Sequence, residues 1–307
     1  MVRCGKLSNA GSISVTRRAE IGVMRSKLFI PGSRPELFDK ARRSEADALS
    51  FDLEDAVVAT AKAEARKHVA AALCAAWPSD RKIVIVRINA FGSDSFEADL
   101  DAVIQPGLDI LNLPKVDRPE TVQEVARRLD GLQSQRGIEK RIGILVNIET
   151  PCALRRADEI AKSSGRIVGL QLGFGDLFSP LGIERSPASL GPVRLAVRLA
   201  AGEAGVPAYD GAFVDVSDDA GFRAEAEAAR AMGFAGKTCV HPSQAPIANS
   251  IFFPRPAEIE SARQVVVKAD EMEAQGVGAF TVNGVMFDGP LIARARKLVK
   301  LAAERAR

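Results

Sequence analysis

The stretch IGILVNIETPCALRRADEIAKSSGRIVGLQLGFGDL, residues 142–177, decides the fold that the sequence predicts. Its two short apolar runs, residues 142–148 and 167–172, are typical of buried strands. Residues 151–163 are predicted to form a helix between them, because Pro151 suits a first helical turn and the apolar residues that follow share one stripe. A right-handed crossover of this kind makes the two strands parallel.

A carboxylate follows the last buried residue of each strand, Glu149 after the first and Asp176 after the second. Because parallel strands end at the same edge of a sheet, we expect the two side chains to lie together although 27 residues separate them (176 − 149 = 27). Two carboxylates at one edge suit a hard divalent cation. Gly173 and Gly175 allow backbone N–H groups to approach a ligand there, and a merely tight turn is the alternative.

From Lys27 onward, eight strand-like runs alternate with eight helix-like stretches. The predicted strands are residues 27–31, 48–53, 83–88, 110–113, 142–148, 167–172, 212–216 and 237–240. The predicted helices are residues 35–43, 59–76, 95–105, 119–132, 151–163, 192–204, 218–232 and 243–251. Eight strands that alternate with eight helices indicate the α/β class and predict a TIM (β/α)8 barrel. An open doubly wound sheet uses the same elements, but usually with fewer strands and a glycine-rich dinucleotide turn, and no GxGxxG opens a helix here.

The expected organisation is a leader of residues 1–24, a barrel catalytic domain of residues 25–253 and a C-terminal helical extension of residues 254–307. The leader lacks the apolar segment of a secretory signal, which leaves a disordered leader, a start at Met24 or an organellar transit peptide. Pro254 and Pro256 end the barrel pattern. The extension is predicted to pack over a barrel face or to reach a neighbouring subunit.

Composition limits the classes of function. The 307 residues are 47% hydrophobic and 26% charged, which supplies the core of a large α/β domain. A net charge of +3 with dispersed basic residues argues against a nucleic-acid partner. No apolar run approaches the roughly 18 residues that span a bilayer. The four cysteines form no CxxC pair, which argues against a disulfide framework or a zinc site. We expect a cytoplasmic protein.

Charged residues also follow other predicted strands. Asp52, Glu54 and Asp55 follow the second strand, and such a cluster repels itself unless a cation or an arginine neutralises it. We expect Asp52 or Glu54 to face the site, and a solvated acidic loop is the alternative. Arg87 ends the third strand and is predicted to neutralise the cluster, to bind an anionic substrate, or to do each in turn. Lys115 ends the fourth, and a structural or electrostatic role is favoured over a Schiff base.

Two further candidates are weaker. Arg34 follows the first strand in PGSRPE, where a helix start and a guanidinium form a natural phosphate or carboxylate receptor. The alternative is an ordinary turn with a solvated arginine. His68 and His241 are left unassigned, because a lone histidine is more often structural than a ligand.

Several motifs in order resemble one family. They are KLFIPGSRPELFDKA (residues 27–41), SFDLEDAV (50–57), VRINAFG (86–92), LPKVD (113–117), IGILVNIET (142–150), GFGDL (173–177), GFAGKTCVHPSQ (233–244) and VNGVMFDGPLIARA (282–295). From about residue 25 to residue 305 the chain is similar to the citrate lyase β-subunit-like proteins, which are acyl-CoA lyases of the HpcH/HpaI aldolase superfamily.

The resemblance implies a TIM-barrel lyase that binds Mg²⁺ and breaks or forms a carbon–carbon bond between a keto acid and the acetyl unit of an acyl thioester. It implies that Glu149 and Asp176 are the metal ligands and that Arg87 contacts the keto-acid oxygen. The acid cluster, including Asp52 and Glu54, would order the metal's waters and position Arg87.

The resemblance also implies a homo-oligomer, a trimer or a hexamer, in which Asp288 is lent to the active site of an adjacent subunit as a proton-transfer group. Where relatives often read DGKMID, residues 283–288 read NGVMFD. The chain therefore lacks the acid and the lysine of that segment but keeps Asp288.

The predicted function is a citramalyl- or malyl-CoA lyase-like activity on a hydroxyacyl-CoA thioester. The alternatives are the citryl-acyl carrier protein lyase subunit of citrate lyase and a metal-dependent pyruvate aldolase that needs no CoA. A barrel that only binds a CoA ester or a partner subunit is a further alternative. Such a protein would be expected to have another residue in place of Glu149 or Asp176, but this chain keeps both carboxylates.

Overall fold

A computed structural model describes residues 24–75 and 82–305 of the chain. The predicted leader lies outside these residues, apart from Met24. The chain divides into two units, Met1–Asn249 and Ser250–Arg307.

The first unit is a closed barrel of eight strands that pair in chain order, all in parallel, with β8 completing the ring against β1. The strands are β1 Ser26–Pro31, β2 Ala48–Asp52, β3 Ile83–Arg87, β4 Ile110–Leu113, β5 Gly143–Ile148, β6 Ile167–Leu172, β7 Ala208–Asp210 and β8 Gly236–Cys239. The predicted TIM-type barrel is therefore confirmed. In the β2–β3 ladder, Asp52 lies opposite Arg87, so strand pairing alone brings these two side chains together.

Helices connect the strands. They are α1 Phe38–Arg42, α2 Lys62–Cys74, α3 Phe96–Val103, α4 Pro119–Gln135, α5 Pro151–Arg155, α6 Ala157–Lys162, α7 Phe174–Phe178, α8 Pro187–Glu203, α9 Asp219–Ala231 and α10 Gln244–Ile251. Short 3₁₀ turns, Pro35–Leu37 and Ala59–Ala61, precede α1 and α2. The short α7 directly follows β6 and carries Asp176, so this acid is held by a helical turn.

The strands are buried almost throughout, because the helices cover them outside and their side chains fill the barrel inside. One buried cluster draws its members from around the ring and comprises Met24, Ala48, Ile85, Ile110, Leu145 and Tyr209. Gly236 is needed where β8 meets the start of β1, because a Cβ at this position would lie 2.1 Å from the carbonyl oxygen of Met24. The ring therefore closes through a backbone contact too tight for any side chain.

The predicted seventh strand, residues 212–216, is wrong. The strand is Ala208–Asp210, and Val214 and Val216 in the following loop are 76% and 47% exposed. The true strand ends in a fully buried aspartate, Asp210, which is neutralised by Arg194 and Lys237 from distant parts of the chain. The sequence pattern favoured residues 212–216 because they are apolar, whereas the true strand has only three residues and ends in an acid.

Two helix predictions also need correction. The predicted helix 151–163 is two helices, separated at Arg156, whose φ of −114° and ψ of 17° are not helical. The predicted helix 192–204 begins earlier, at Pro187, where Ser186 and Ser189 form a reciprocal capping box. Pro192 is not a helix start, because it lies inside α8.

The second unit contains α11 Pro256–Ala274, a hairpin of β9 Phe280–Val282 and β10 Val285–Phe287, and α12 Gly289–Arg305. Asn283 and Gly284 form the hairpin turn with φ values of 49° and 79°, as a tight two-residue turn requires. The unit has its own core of Ala262, Val265, Ala269, Phe280, Ile292 and Ala295. None of the helices in the described residues is long and apolar enough to span a bilayer.

Candidate active site

The candidate site is a cavity of about 590 Å³ inside the barrel unit. Of the residues predicted from the sequence, Asp52, Arg87, Glu149, Gly175 and Asp176 line it. Each of these residues ends a strand or follows one within a few positions. The parallel barrel therefore gathers them from widely separated positions in the chain.

Arg87 and Asp52 form a bidentate ion pair. Nε of Arg87 donates to Oδ1 of Asp52 and Nη2 donates to Oδ2, each at 2.7 Å. Asp52 also accepts the backbone N–H groups of Glu54 and Ala56, each at 3.1 Å. Burial would raise the pKa of Asp52, but the hydrogen bonds and charge of Arg87 lower it overall. Because a guanidinium has five N–H donors, Arg87 keeps donors for a ligand in the cavity.

Glu54 lies between two cations, with Arg87 Nη1 2.8 Å from one oxygen and Lys115 Nζ 2.8 Å from the other. Burial is nevertheless the larger effect and raises the pKa of Glu54. Burial also opposes the charge of Lys115, but the contact with Glu54 and the charges of Asp55 and Asp176 raise its pKa overall. Lys115 therefore keeps its positive charge, which fits the predicted electrostatic role and not a Schiff base.

Glu149 is almost fully buried, and each of its oxygens accepts one N–H group. Oε1 accepts the backbone N–H of Lys115 at 2.6 Å, and Oε2 accepts from Nδ2 of Asn147 at 3.0 Å. Burial, followed by the negative charge of Glu54, raises the pKa of Glu149 to about 7. Lys115 adopts φ 51°, a left-handed conformation that is uncommon for a residue with a side chain.

Asp176 is more open than Glu149, with a side chain that is 36% exposed and lies 3.7 Å from Lys115 Nζ. Lys115 thus contacts both predicted metal ligands, so the two strand ends meet as expected. The two glycines before Asp176 differ. A Cβ on Gly173 would lie 2.3 Å from Oε2 of Glu149, whereas a Cβ on Gly175 would meet nothing within 4 Å. Gly173 therefore makes room for Glu149, a role that sequence reasoning missed.

A chain of buried amides behind Glu149 was also missed. Lys27 Nζ donates to Oδ1 of Asn112 at 3.3 Å, and Nδ2 of Asn112 donates to Oδ1 of Asn147 at 2.8 Å. Gln171 donates to the same Asn147 oxygen at 3.2 Å, which leaves the Asn147 amide nitrogen to face Glu149. The available signal was a polar residue inside each of several otherwise apolar strands, because such a residue must find a buried partner.

The remaining predicted residues do not line the cavity. Arg34 is exposed, pairs with Glu36 at 2.8 Å and does not line the cavity, as in the solvated alternative. Asp55 is half-exposed and 3.3 Å from Lys115 Nζ. His241 is exposed and bonds Ser243. Asp288 lies in the second unit, between β10 and α12, and its carbonyl oxygen accepts the N–H of Ile292.

Comparison with known proteins gives the family. Residues 25–242 match the HpcH/HpaI aldolase/citrate lyase family. The chain belongs to this family of enzymes. The resemblance to citrate lyase β-subunit-like proteins is thereby confirmed.

Individual members of the HpcH/HpaI family match almost the whole chain. Citrate lyase subunit beta of Escherichia coli K12 is 37% identical over 91% of this chain and 93% of its own length. The (3S)-malyl-CoA thioesterase of Cereibacter sphaeroides KD131 is 36% identical over 91% of this chain and 94% of its own length. The structure of CitE from Mycobacterium tuberculosis with magnesium, acetoacetate and coenzyme A matches 92% of this chain and 98% of that one, with 30% identity and a TM-score of 0.74.

We predict that Arg87→Gln destabilises the protein by about 3–5 kcal/mol, because it leaves the buried charge of Asp52 without its partner. The matched control, Arg34→Gln at an exposed pair, should change the free energy of unfolding by no more than about 0.5 kcal/mol. Urea denaturation of both variants measures the difference. Similar losses in the free energy of unfolding for Arg87→Gln and Arg34→Gln would contradict the stabilising role of the buried Arg87–Asp52 pair.

The effect of Arg87→Gln should depend on pH. The pKa of Asp52 is lowered in the folded state, so the pair contributes fully above the unfolded-state pKa of about 4. This contribution is lost as the pH falls through the folded-state pKa. The wild type and Arg87→Gln should therefore converge in stability in acid, as urea denaturation over a pH series would measure.

Proposed function

We propose that this protein is a Mg²⁺-dependent carbon–carbon lyase. It cleaves a hydroxyacyl-CoA thioester into acetyl-CoA and a keto acid, or forms the thioester by Claisen-type condensation, in the manner of citramalyl- and malyl-CoA lyases. The observation that carries the proposal is the position of Arg87 beside Glu149 and Asp176 on one cavity. A guanidinium held by Asp52 is a rigid donor to an oxyanion, and the two carboxylates are ligands for a hard cation.

The donor set fits Mg²⁺. Within residues 24–75 and 82–305, no group of three or more His, Cys, Asp or Glu side chains is arranged to hold a metal ion. Mg²⁺ does not need such a group, since it usually keeps several waters and takes one or two carboxylates together with substrate oxygens. Glu149 and Asp176 both contact Lys115, the first through its backbone N–H and the second through its ammonium. The magnesium in the CitE complex supports the same choice of ion.

In a retro-Claisen cleavage, different residues of the chain have different roles. Asp288 of an adjacent copy acts as the general base and removes the proton of the β-hydroxyl. Arg87 donates to that oxygen as the carbon–carbon bond breaks and the oxygen becomes the keto group of the keto acid. The electrons of the broken bond form the thioester enolate, which takes up the proton to give acetyl-CoA. Mg²⁺ held by Glu149 and Asp176 supplies Lewis-acid chemistry.

Other reactions are possible for the same site, with an acyl carrier protein or no thioester carrier in place of CoA, or with hydrolysis of the thioester in place of carbon–carbon cleavage. The similarity to citrate lyase subunit beta supports a citryl-acyl carrier protein lyase subunit, and the family name supports a pyruvate aldolase that needs no CoA. The similarity to (3S)-malyl-CoA thioesterase favours hydrolysis of the thioester as a second candidate. We place the protein in the cytoplasm as a homo-oligomer without nucleic-acid partners.

The function is tested by incubating the pure protein and Mg²⁺ with a panel of hydroxyacyl-CoA esters. We expect acetyl-CoA and keto acid in equal amounts, and no turnover after Mg²⁺ is chelated. Glu149→Gln should lose Mg²⁺ binding and turnover together, because it removes one charged ligand. Release of free CoA with an intact hydroxy acid would show hydrolysis instead. Turnover only with an acyl carrier protein, or metal-dependent lyase activity in Glu149→Gln, would contradict the proposal.

The two glycines give a matched pair of variants. Gly173→Ala should weaken Mg²⁺ binding at least about tenfold, because its Cβ would displace the Glu149 carboxylate. Gly175→Ala has open space and should bind Mg²⁺ as the wild type does. Calorimetric titration with Mg²⁺ measures both, and circular dichroism reports whether each variant is folded. Equal Mg²⁺ affinities in two folded variants would refute the role of Gly173.

The role of Asp288 in an adjacent copy is tested by mixing two inactive variants. Asp288→Asn should lower kcat by about 10²–10⁴, the usual contribution of a general base. Co-expression of Asp288→Asn with Glu149→Gln should restore activity that neither variant has alone, because a mixed oligomer contains intact sites. Purification through two different tags isolates the mixed oligomers. No recovery in them would show that Asp288 does not act across the subunit boundary.

A further inference from the structure

Carbon–carbon cleavage of a thioester places negative charge on two oxygens in turn, and Arg87 accounts for only the first. This first oxygen is the β-oxygen, which loses its proton. The second is the thioester oxygen, which becomes negative when the carbon–carbon bond breaks and an enolate forms. Enzymes stabilise such an oxygen with fixed hydrogen-bond donors that are aimed at it. The enolate oxygen therefore requires further donors in the cavity.

Few side-chain donors in the cavity lining remain for this oxygen. The amide nitrogen of Asn147 already donates to Glu149, and that of Gln171 already donates to Asn147. Arg185 also lines the cavity, and within the described part of the chain no hydrogen bond uses its Nη1. Arg185 is therefore a charged donor with a free edge.

Arg185 lies across the cavity from Arg87. In an eight-stranded barrel with strands in chain order, β7 lies opposite β3, which ends in Arg87. Nη2 of Arg185 donates at 2.7 Å to the carbonyl oxygen of Ala212, just after β7. The guanidinium carbon of Arg185 also lies 5.2 Å from the ring centre of Phe174, on the helical turn that carries Asp176. A substrate held at Asp176 therefore has one guanidinium on each side.

The thioester end of the substrate is expected on the Arg185 side of the cavity. The keto-acid end belongs at Glu149, which is almost fully buried, whereas the carrier of the thioester has to leave through the opening. The side chain of Arg185 is 28% exposed, against 12% for Arg87. Ile183 and Val214 line the same cavity and are 41% and 76% exposed, so the opening lies near Arg185 in the chain.

Arg185 is held rigidly within a cluster of net positive charge. Its Nε and Nη2 donate to the two oxygens of Glu225 at 2.8 and 2.7 Å. Glu225 also contacts two buried cations, Arg194 and Lys237. Both of these contact Asp210 as well, so three cations share two carboxylates and the net charge is +1 (3 − 2 = +1). Burial would raise the pKa of Glu225, but the hydrogen bonds and charges of the cations lower it to about 2. A guanidinium fixed in this way needs no reorganisation when an oxyanion develops beside it.

Thr238 supplies a second free donor. It lies in β8, the strand next to β7, and lines the same cavity as Arg185. Thr238 is almost fully buried, and within the described residues its Oγ1 makes no hydrogen bond. Leaving a buried polar atom without a partner is costly, so native proteins seldom keep one without a reason. An oxyanion in the cavity would accept from this hydroxyl.

We propose that Arg185 Nη1 and the Thr238 hydroxyl form the oxyanion hole for the thioester enolate. As the carbon–carbon bond breaks, its electron pair becomes the double bond of the enolate, and the electron pair of the thioester carbonyl moves onto the oxygen that both groups contact. The enolate carbon then takes up the proton that Asp288 removed from the β-hydroxyl, and the thioester carbonyl forms again. The assignment rests on the proposed lyase function, adds two catalytic residues to it, and applies to any keto-acid product.

The oxyanion hole is tested first by the rate of cleavage. Arg185→Gln should lower kcat by about 10²–10³, the usual effect of losing one oxyanion donor. Calorimetric affinities for Mg²⁺ and pyruvate should not change, because neither contacts the oxyanion hole. Arg185→Lys, which keeps the charge, should recover part of the rate. The matched control is Arg198→Gln on α8, which does not line the cavity and donates to the Gly233 carbonyl, and it should keep the wild-type kcat.

Hydrogen–deuterium exchange at the methyl group of acetyl-CoA reports on the enolate without cleavage of a carbon–carbon bond. The protein is incubated in D₂O with acetyl-CoA, Mg²⁺ and oxamate, an analogue of pyruvate that does not condense. The wild type should exchange the methyl hydrogens. Arg185→Gln should lose exchange by the same factor as kcat, because both processes pass through the enolate.

Thr238→Val separates catalysis from folding, because it removes a buried hydroxyl that has no partner in the described residues. This variant should unfold at the same urea concentration as the wild type or at a higher one, while kcat and exchange fall about tenfold, as the loss of one hydrogen bond predicts. A wild-type kcat in folded Arg185→Gln, or a lower kcat with unchanged exchange, would overturn the oxyanion hole and leave the lyase proposal standing. No cleavage of any hydroxyacyl-CoA ester by the wild type would overturn both.

Discussion

Charge neutralisation at the carboxyl ends of the strands is the constraint on which the candidate site depends. Five carboxylates gather there around two cations, Arg87 and Lys115; the carboxylates are Asp52, Glu54, Asp55, Glu149 and Asp176. Buried like charges repel strongly, so each cation must contact several acids at once. Lys115 does so by adopting a left-handed backbone conformation, which directs its N–H to Glu149 while its ammonium reaches Glu54.

Much of this arrangement was predictable, because it follows from strand pairing. Parallel strands end at one edge, so a strand–helix–strand reading of residues 142–177 is enough to bring Glu149 and Asp176 together. The same rule explains why Arg87 meets Asp52, since the two residues are directly opposite in the β2–β3 ladder. These predictions need only the order of the strands and the positions of their last residues.

The rest depended on contacts that no local pattern encodes. Gly173 has the sequence context of a ligand-binding glycine, but the need for it arises from the Glu149 side chain, which comes from another strand. The seventh strand is hard to place because Asp210 is neutralised by residues that are remote in sequence. Arg34 does not line the cavity, and the reason is different: a favourable turn motif does not reveal that Glu36 pairs with the Arg34 side chain in solvent. In each case a side-chain contact decides the outcome, and the local pattern does not show that contact.

The two candidate metal ligands differ in how firmly they are held, and the difference has a physical origin. Glu149 receives one N–H on each oxygen, and the amide chain from Lys27 through Asn112 and Asn147 has a single direction of donation. Reversing any amide in this chain would set two donors or two acceptors against each other, so the orientation of Glu149 is fixed before any ligand arrives. Asp176 lies on a short helical turn with a side chain that is 36% exposed, and its contact with the Lys115 ammonium is long at 3.7 Å, so it can adjust its position to the ligand. A site with one rigid and one adjustable carboxylate keeps a defined geometry while accepting substrates of different shape.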